Sequence, residues 1–348
     1  MRAFICTSCS QLVFFHNTAC LRCGAALGFD PALLDVVVVD GPSRRCANQQ
    51  LAGCNWLVDR PGALCVSCRL TRTRPPAHDD DAMAAFRVAE RAKRRLVVQL
   101  LRLGLSIEPH DAATGTGVAF DLLSSAHGPV TTGHASGVIT LDLAESDAVH
   151  REMVRKKMRE PYRTVLGHFR HEVGHYYFPV LVDDDLRGEA RALFGDETAD
   201  YGAALDRHYT QGAPEAWQQH HISEYATMHP AEDWAETFAH YLHIRATLET
   251  AGAYRMSVAG PDVAAVEPGE ISSEPAALDP SGPIERIIAA WLPLSYALNA
   301  VNRSMGTDDL YPFVLPAAVI AKLGFVHRAV QRAASGGHRD RTGLPRSA

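Results

Sequence analysis

Eight cysteines lie within the first 68 residues of this 348-residue chain, and none follows. Disulfides are rare in a reducing cytosol, whereas a two-residue gap between cysteines lets one tight turn direct two thiolates at a tetrahedral zinc ion. Three such pairs occur, in the segments CTSC, CLRC and CVSC. The spacing therefore predicts zinc binding and an N-terminal region, residues 1–75, that folds around its metal ions.

The cysteines divide into two sets of four. Ten residues separate two tight pairs in the first set, as in a zinc ribbon, and the second set opens one pair to a seven-residue gap. Redox-active dithiols or buried structural cysteines are less favoured, because single dithiols do not come in two sets of four. His16 is a less favoured substitute ligand. Four protein ligands leave no open position, so these zinc ions are predicted to be structural. The predicted ligands are Cys6, Cys9, Cys20 and Cys23 in the first set, and Cys46, Cys54, Cys65 and Cys68 in the second.

Charge gives little support for a nucleic-acid interface. Residues 1–75 hold eight arginines and four aspartates, but two zinc sites with four thiolates each cancel this excess of positive charge. The net charge of the whole chain is −6. The sequence has neither a run long enough to span a membrane nor the apolar core of a signal peptide, so we expect a cytoplasmic protein. The zinc ribbons are still candidates for binding a protein or nucleic-acid partner.

The rest of the chain predicts an α+β fold, in which a mainly helical domain over residues 82–334 contains a small sheet. Residues 71–81 combine prolines with a charge run and predict a linker with aspartates at a helix start. A helix is predicted from Ala82 to Leu105, followed by strands in VAFDLL and VITLDL. The remaining predictions are a helical stretch over 146–178 broken at Pro161, helix over 215–250, a long loop over 255–283, two further helices, and a disordered tail over 335–348.

The segment HEVGH contains the candidate ligands of a catalytic zinc ion. On a helix His171 and His175 are one turn apart, about 6 Å along the axis, so both imidazoles can bind one zinc ion. Glu172 can then hold a water molecule on that ion. His168, one turn earlier, is favoured as a surface or supporting residue. Two histidines need a third ligand to complete a catalytic site.

The third ligand is sought in SEYATMHPAEDWAETFAHYLHI, where Pro230 can occupy the first turn of a helix. Glu232, Glu236 and His240 then fall on one face at four-residue steps. With Glu232 as the ligand, Glu236 is free to accept a hydrogen bond from a zinc-bound imidazole, and His240 is a further supporting candidate. Glu236 as the ligand itself is the main alternative. Weaker alternatives are His229 and Asp233.

HEVGH followed by Glu232, Ala235 and Glu236 resembles the zincin metallopeptidases of the glutamate-ligand type, the group of thermolysin and anthrax lethal factor. Tyr225, seven residues before Glu232, matches a tyrosine of the lethal-factor type. The cysteine-rich start joined to LGHFRHEVGHYYF, FGDETADY and HPAEDWAETFAHYLH resembles more closely a bacterial family of zinc-binding metallopeptidases with an N-terminal zinc ribbon. This resemblance covers most of residues 1–250.

The resemblance implies a zinc-dependent peptidase with one catalytic and up to two structural Zn²⁺ ions. It implies His171, His175 and Glu232 as ligands, Glu172 as general base, and Tyr225 as a donor to the tetrahedral intermediate. It also implies that VITLDL is an edge strand that pairs with an extended peptide substrate. The alternatives are a binding scaffold that hydrolyses nothing and a zinc hydrolase of non-peptide amides. The general base Glu172 disfavours the scaffold.

Overall fold

Small antiparallel hairpins build the cysteine-rich N-terminus of the chain. The computed structural model describes residues 2–39, 41, 44–158, 160–261 and 271–340. The ring of Phe29 lies 4.8 Å from Phe15 and 4.9 Å from Trp56, measured between centroids, and these rings form the core. A core this small needs additional cross-links such as metal ions. The elements are β1 (Phe4–Ile5) paired with β2 (Leu12–Val13), β3 (Leu27–Asp30) paired with β4 (Asp35–Val38), and the short helix α1 (Gln49–Ala52).

A four-stranded sheet follows, in the order β5-β6-β8-β7. Two neighbouring pairs, β5 with β6 and β6 with β8, are parallel, and β7 is antiparallel to β8. The buried face of the sheet carries Phe120, whose ring meets Phe169 at 5.3 Å in an edge-to-face arrangement. The strands are β5 (Thr71–Thr73), β6 (Ala119–Leu123), β7 (Gly133–Ala135) and β8 (Val138–Asp142).

Two predictions for this sheet are wrong. The expected linker over 71–81 contains strand β5, because Thr71–Thr73 pairs with β6 at the sheet edge. The VITLDL strand is not an edge strand, since β8 has β6 on one side and β7 on the other. Residues 138–140 are therefore paired on both sides, so this part of the strand is not available to a peptide. The short strand β7, missed in the sequence because it lies in the turn-like TTGHASG, covers that side.

Helix α2 (Asp80–Arg102) begins where the sequence predicts, since the Asp79 side chain accepts a hydrogen bond from the Ala82 amide at 2.9 Å. A buried ionic cluster lies on its inner face. The Lys93 ammonium is 2.6 Å from a carboxylate oxygen of Glu90, and Arg94 is 3.6 Å from the other oxygen. All three charged groups are almost completely removed from solvent. Their pairing allows charges to remain buried.

The predicted helical stretch over 146–178 forms two helices, α3 (Ala148–Met158) and α4 (Val165–Leu181), and the predicted break at Pro161 lies between them. Helix α4 carries HEVGH and continues two residues beyond Pro179. By its contacts the chain divides inside α4 into an N-terminal unit, residues 2–176, and a C-terminal unit that starts at Tyr177.

Most of the described residues of the C-terminal unit lie in helices. Its core gathers around Trp234, whose ring lies 5.3 Å from Phe178, 5.7 Å from Phe194 and 6.1 Å from Phe325. The predicted loop over 255–283 contains a strand pair, and its residues 262–270 lie outside the described residues. The elements are α5 (Asp184–Phe194), α6 (Tyr201–Gln211), α7 (Pro230–Ala253), β9 (Val258–Ala259) paired with β10 (Ser272–Ser273), α8 (Ile284–Ser304) and α9 (Ala317–Asp340).

The architecture is thus α+β, with cysteine clusters at the N-terminus followed by a mainly helical part, as the sequence predicts. Helix α9 extends through Asp340, past the predicted start of the tail at 335, and residues 341–348 lie outside the described residues. Within the described ranges, none of the helices combines the length and the apolar character that a membrane span requires.

Candidate metal centres

The first cysteine set has the geometry of a tetrahedral thiolate site. The sulfur atoms of Cys6 and Cys23 are 3.7 Å apart, and those of Cys9 and Cys20 are 3.6 Å apart. A zinc ion with Zn–S bonds of about 2.3 Å separates its sulfur ligands by about 3.8 Å. A disulfide would need about 2.05 Å, and all four cysteines are free. The donor set therefore fits Zn²⁺.

His16 does not belong to this set. Its Nε2 accepts a hydrogen bond from Nε of Arg95 on helix α2 at 3.1 Å. Burial, together with the positive charges of Arg95, Arg94 and Arg91, lowers the pKa of His16 to about 3. The imidazole is therefore neutral at physiological pH and is held as an acceptor by an arginine.

The second cysteine set is buried and fits the same ion. Cys54 and Cys65 place their sulfur atoms 3.7 Å apart, and all four sulfurs lie within 4.8 Å of one another. Backbone amides donate to the sulfurs, from Cys65 to Cys46 at 3.3 Å and from Cys68 to Cys65 at 3.4 Å. Such bonds stabilise the thiolate form.

The buried Arg94 ties this second set to helix α2. Its guanidinium donates to the carbonyl oxygens of Ala52 and Gly53 at 3.2–3.3 Å, directly before the ligand Cys54. The sequence does not reveal this contact, because Arg94 lies 40 residues beyond Cys54 in an ordinary amphipathic pattern. A cation at this point also offsets the negative charge of a four-thiolate site.

In helix α4 the two histidines of HEVGH converge as the sequence predicts. The Nε2 atoms of His171 and His175 are 3.2 Å apart, and their rings are inclined by 79°. Two imidazoles on a tetrahedral zinc ion, with Zn–N bonds of about 2.0–2.1 Å, bring their nitrogens to about 3.3–3.4 Å. A carboxylate oxygen of Glu172 lies within 4.8 Å of both nitrogens. These residues fit a zinc ion with an acid or base beside it.

His134 of strand β7 lies next to this pair, although no sequence pattern indicates it. Its ring stacks on His175, with centroids 6.2 Å apart and planes inclined by 12°. The Gly137 amide donates to Nε2 of His134 at 3.1 Å. Burial, and to a lesser degree the charge of His175, lowers the pKa of His134 to about 4. His134 is thus neutral at physiological pH and lines one side of the histidine pair.

A buried arginine links helix α4 to helix α2. Arg170, next to His171, donates from two nitrogens to Oε1 of Gln99 on helix α2, at 3.1 and 2.8 Å. Phe169 packs on the sheet, as described above. These contacts fix the rotation of the helix and with it the direction of both imidazoles.

In the C-terminal unit, helix α7 starts at Pro230 as predicted. The preceding His229 uses both ring nitrogens. Its Nδ1 accepts from the Ala231 amide at 3.1 Å and its Nε2 donates to the Ala199 carbonyl at 3.0 Å. His229 therefore caps the helix, which disfavours it as a metal ligand.

Glu232 and Asp233 are both buried in the first turn of α7 but have different partners. The Tyr201 hydroxyl donates to Oε1 of Glu232 at 3.1 Å. Asp233 pairs with the Lys322 ammonium at 2.5 Å, although burial raises the pKa of Asp233 to about 7. The salt bridge occupies Asp233. Glu232 is bound by a neutral hydroxyl.

Tyr225 lies in a single 3-10 turn, Tyr225–Thr227, ahead of α7. Burial raises the pKa of Tyr225 well above its usual value, and the negative charge of Glu232 and a hydrogen bond with Tyr201 add to this. The hydroxyl is therefore protonated at neutral pH. No pattern in the sequence points to Tyr201 as part of this site, although Tyr201 is the last residue of FGDETADY.

The other two predicted supporting residues lie further along α7. The Nδ1 atom of His240 is 2.8 Å from the Tyr311 hydroxyl, and the ring packs at 4.3 Å from Phe313. Burial and the charge of Glu236 raise the pKa of Tyr311. Glu236 and His240 thus share one environment, to which Tyr311 contributes a hydroxyl that no sequence pattern indicates.

Two thiolate clusters and a helical imidazole pair define a zinc-binding protein with a ribbon-like N-terminus. Comparison with known families agrees. The family described as "Putative zinc-binding metallo-peptidase" matches residues 82–329, and a zinc-ribbon domain matches residues 3–79. The chain belongs to this metallopeptidase family.

Similar proteins come from Mycobacterium tuberculosis and Mycobacterium bovis. Each is 53% identical over 340 residues, which cover 96% of this chain and 96% of the relative, and each is described as uncharacterized. No solved structure matches the chain significantly.

Proposed function

We propose that this protein is a zinc-dependent peptidase whose catalytic ion is held by His171, His175 and Glu232. The observation that carries the proposal is the 3.2 Å separation of the two Nε2 atoms with the Glu172 carboxylate beside them. Family membership supports a peptide or protein as substrate. When bound, a zinc ion supplies Lewis acidity and lowers the pKa of a water molecule to about 7, from 15.7 in bulk water.

Glu172 is the general base in this mechanism. Its side chain is buried beside the two histidines, where a carboxylate can take a proton from water and later deliver it to the leaving amine. A buried base is shielded from competing bulk water, which favours direct proton transfer to the reacting groups.

Tyr225 is the proposed donor to the carbonyl oxygen of the substrate. Its raised pKa keeps the proton on the hydroxyl while negative charge develops on that oxygen. One donor of this kind typically contributes roughly 3 kcal/mol to the stability of the transition state.

Glu232 is favoured over Glu236 as the third ligand because of its surroundings. Glu232 is 2% exposed and binds a tyrosine hydroxyl through one oxygen, an arrangement that fixes a ligating carboxylate. Glu236 is less deeply buried and lies near Tyr311. We assign Glu236 and His240 a supporting role around the ligands.

The test compares Glu172→Gln with the exposed control Glu215→Gln. Cleavage of casein and of a peptide library is measured together with zinc content by mass spectrometry. We expect Glu172→Gln to keep its zinc while kcat/KM falls roughly 10²–10⁴-fold, and the control to stay active. No cleavage by either zinc-loaded variant or by the wild type would favour a binding scaffold.

The ligand assignment has its own test, in which Glu232→Gln and Glu236→Gln are compared. Only loss of the true ligand should remove the catalytic zinc ion. The cysteine-bound ions report whether the N-terminal unit is folded, and circular dichroism reports the same for the helical C-terminal unit. Loss of zinc in Glu236→Gln alone would reverse the assignment.

A further inference from the structure

The hydroxyl of Tyr201 contacts Glu232, the proposed third ligand. Tyr201 is the first residue of helix α6, and its ring packs 5.2 Å from the ring of the capping residue His229. From there the hydroxyl donates to Oε1 of the buried Glu232 at 3.1 Å. A donor to a carboxylate oxygen restricts its rotation.

A second hydrogen bond links the hydroxyls of Tyr201 and Tyr225, and its direction follows from the bond to Glu232. The single hydroxyl proton of Tyr201 is used on Glu232, so the Tyr201 oxygen must accept from Tyr225. The hydroxyls of Tyr225 and Tyr201 thus form a chain that ends on the Glu232 carboxylate.

We propose that Tyr201 is a positioning residue that holds the Glu232 carboxylate in its metal-binding orientation and keeps the Tyr225 hydroxyl in place until substrate arrives. This inference rests on the proposed function, in which Glu232 is a ligand and Tyr225 a donor. In this role Tyr201 acts through these two residues and is not itself a metal ligand.

Because Tyr201 lies at the surface, its hydroxyl can be removed without disturbing the core. The residue is 44% exposed, so Tyr201→Phe removes one hydroxyl without opening a cavity in the core. Tyr296, 60% exposed on helix α8, provides the same chemical change away from Glu232.

The experiment measures zinc dissociation constants of the full-length protein by titration with a competing chelator. The variants are Tyr201→Phe, Glu232→Gln, their combination, and the control Tyr296→Phe. We expect Tyr201→Phe to weaken one zinc ion 10–100-fold, with the cysteine-bound ions unchanged. The double variant should bind that ion no more weakly than Glu232→Gln alone, because Tyr201 acts through Glu232.

The outcomes separate this inference from the proposed function. Wild-type zinc affinity in Tyr201→Phe, with weakened affinity in Glu232→Gln, overturns the role of Tyr201 and leaves the ligand assignment intact. Wild-type affinity in Glu232→Gln overturns the ligand assignment and the inference together. A lower unfolding midpoint of the zinc-free Tyr201→Phe protein, with wild-type zinc affinity, also overturns the positioning role.

Discussion

Arg94 is expected to be the most sensitive residue of the link between the second cysteine set and helix α2. Its side chain is 2% exposed, it lies 3.6 Å from Glu90, and it donates to the buried carbonyls before Cys54. The change Arg94→Met fills similar space but removes the charge and all of these donors.

The structure sets the size of the effect. Removing one partner of a buried ion pair costs about 3–5 kcal/mol, because the remaining charge and acceptors stay desolvated. The contacts of 3.2–3.3 Å are long for charged donors, which places Arg94→Met near the lower end of that range. Lys93 still pairs with Glu90, which prevents a larger loss.

The assay is hydrogen–deuterium exchange of peptides that cover residues 46–68 in the zinc-loaded protein. A loss of about 3–5 kcal/mol corresponds to roughly 10²–10⁴-fold lower protection. The control is Arg91→Met, an exposed arginine one turn earlier on the same helix. Equal protection in the two variants would refute the reasoning, since it would show that the Arg94 contacts do not stabilise the cysteine-rich region.

Two further predictions concern single residues. Lys322→Met should destabilise the protein by less than the roughly 3–5 kcal/mol typical of a broken buried ion pair, because Asp233, whose pKa is already raised to about 7, can take up a proton. Thermal unfolding against the exposed Lys156→Met checks this, and a shift equal to that control contradicts it. His16 has a folded pKa of about 3, below its usual 6.5, so the unfolded state binds the extra proton and stability falls as pH drops from about 6.5 toward 3. His16→Gln should lessen that acid sensitivity by one proton in the pH dependence of the unfolding free energy, and an unchanged slope would contradict the assignment.

The sequence predicted the start of helix α2 at the aspartates, the start of α7 at Pro230, and the break between α3 and α4, because caps and prolines act over one turn. The sequence-based prediction was wrong for parts of the four-stranded sheet. Strand β5 was predicted as a linker because its three residues show no alternation of apolar and polar side chains. Its pairing partner β6 also lies more than 40 residues later in the chain. VITLDL was wrongly predicted as an edge strand for the same reason, because the sequence does not reveal which strands pair with it.

Short spacings in the sequence identify the metal-binding side chains, namely the two cysteine sets and the imidazole pair of HEVGH. One turn of backbone brings the two members of a tight pair together, so local spacing is sufficient to recognise each pair. The surroundings of these side chains depend on tertiary packing, which places Arg94 behind the second cysteine set, His134 against His175, and Tyr201 on Glu232. These partners are 31 to 42 residues apart in the chain, and packing alone brings them together.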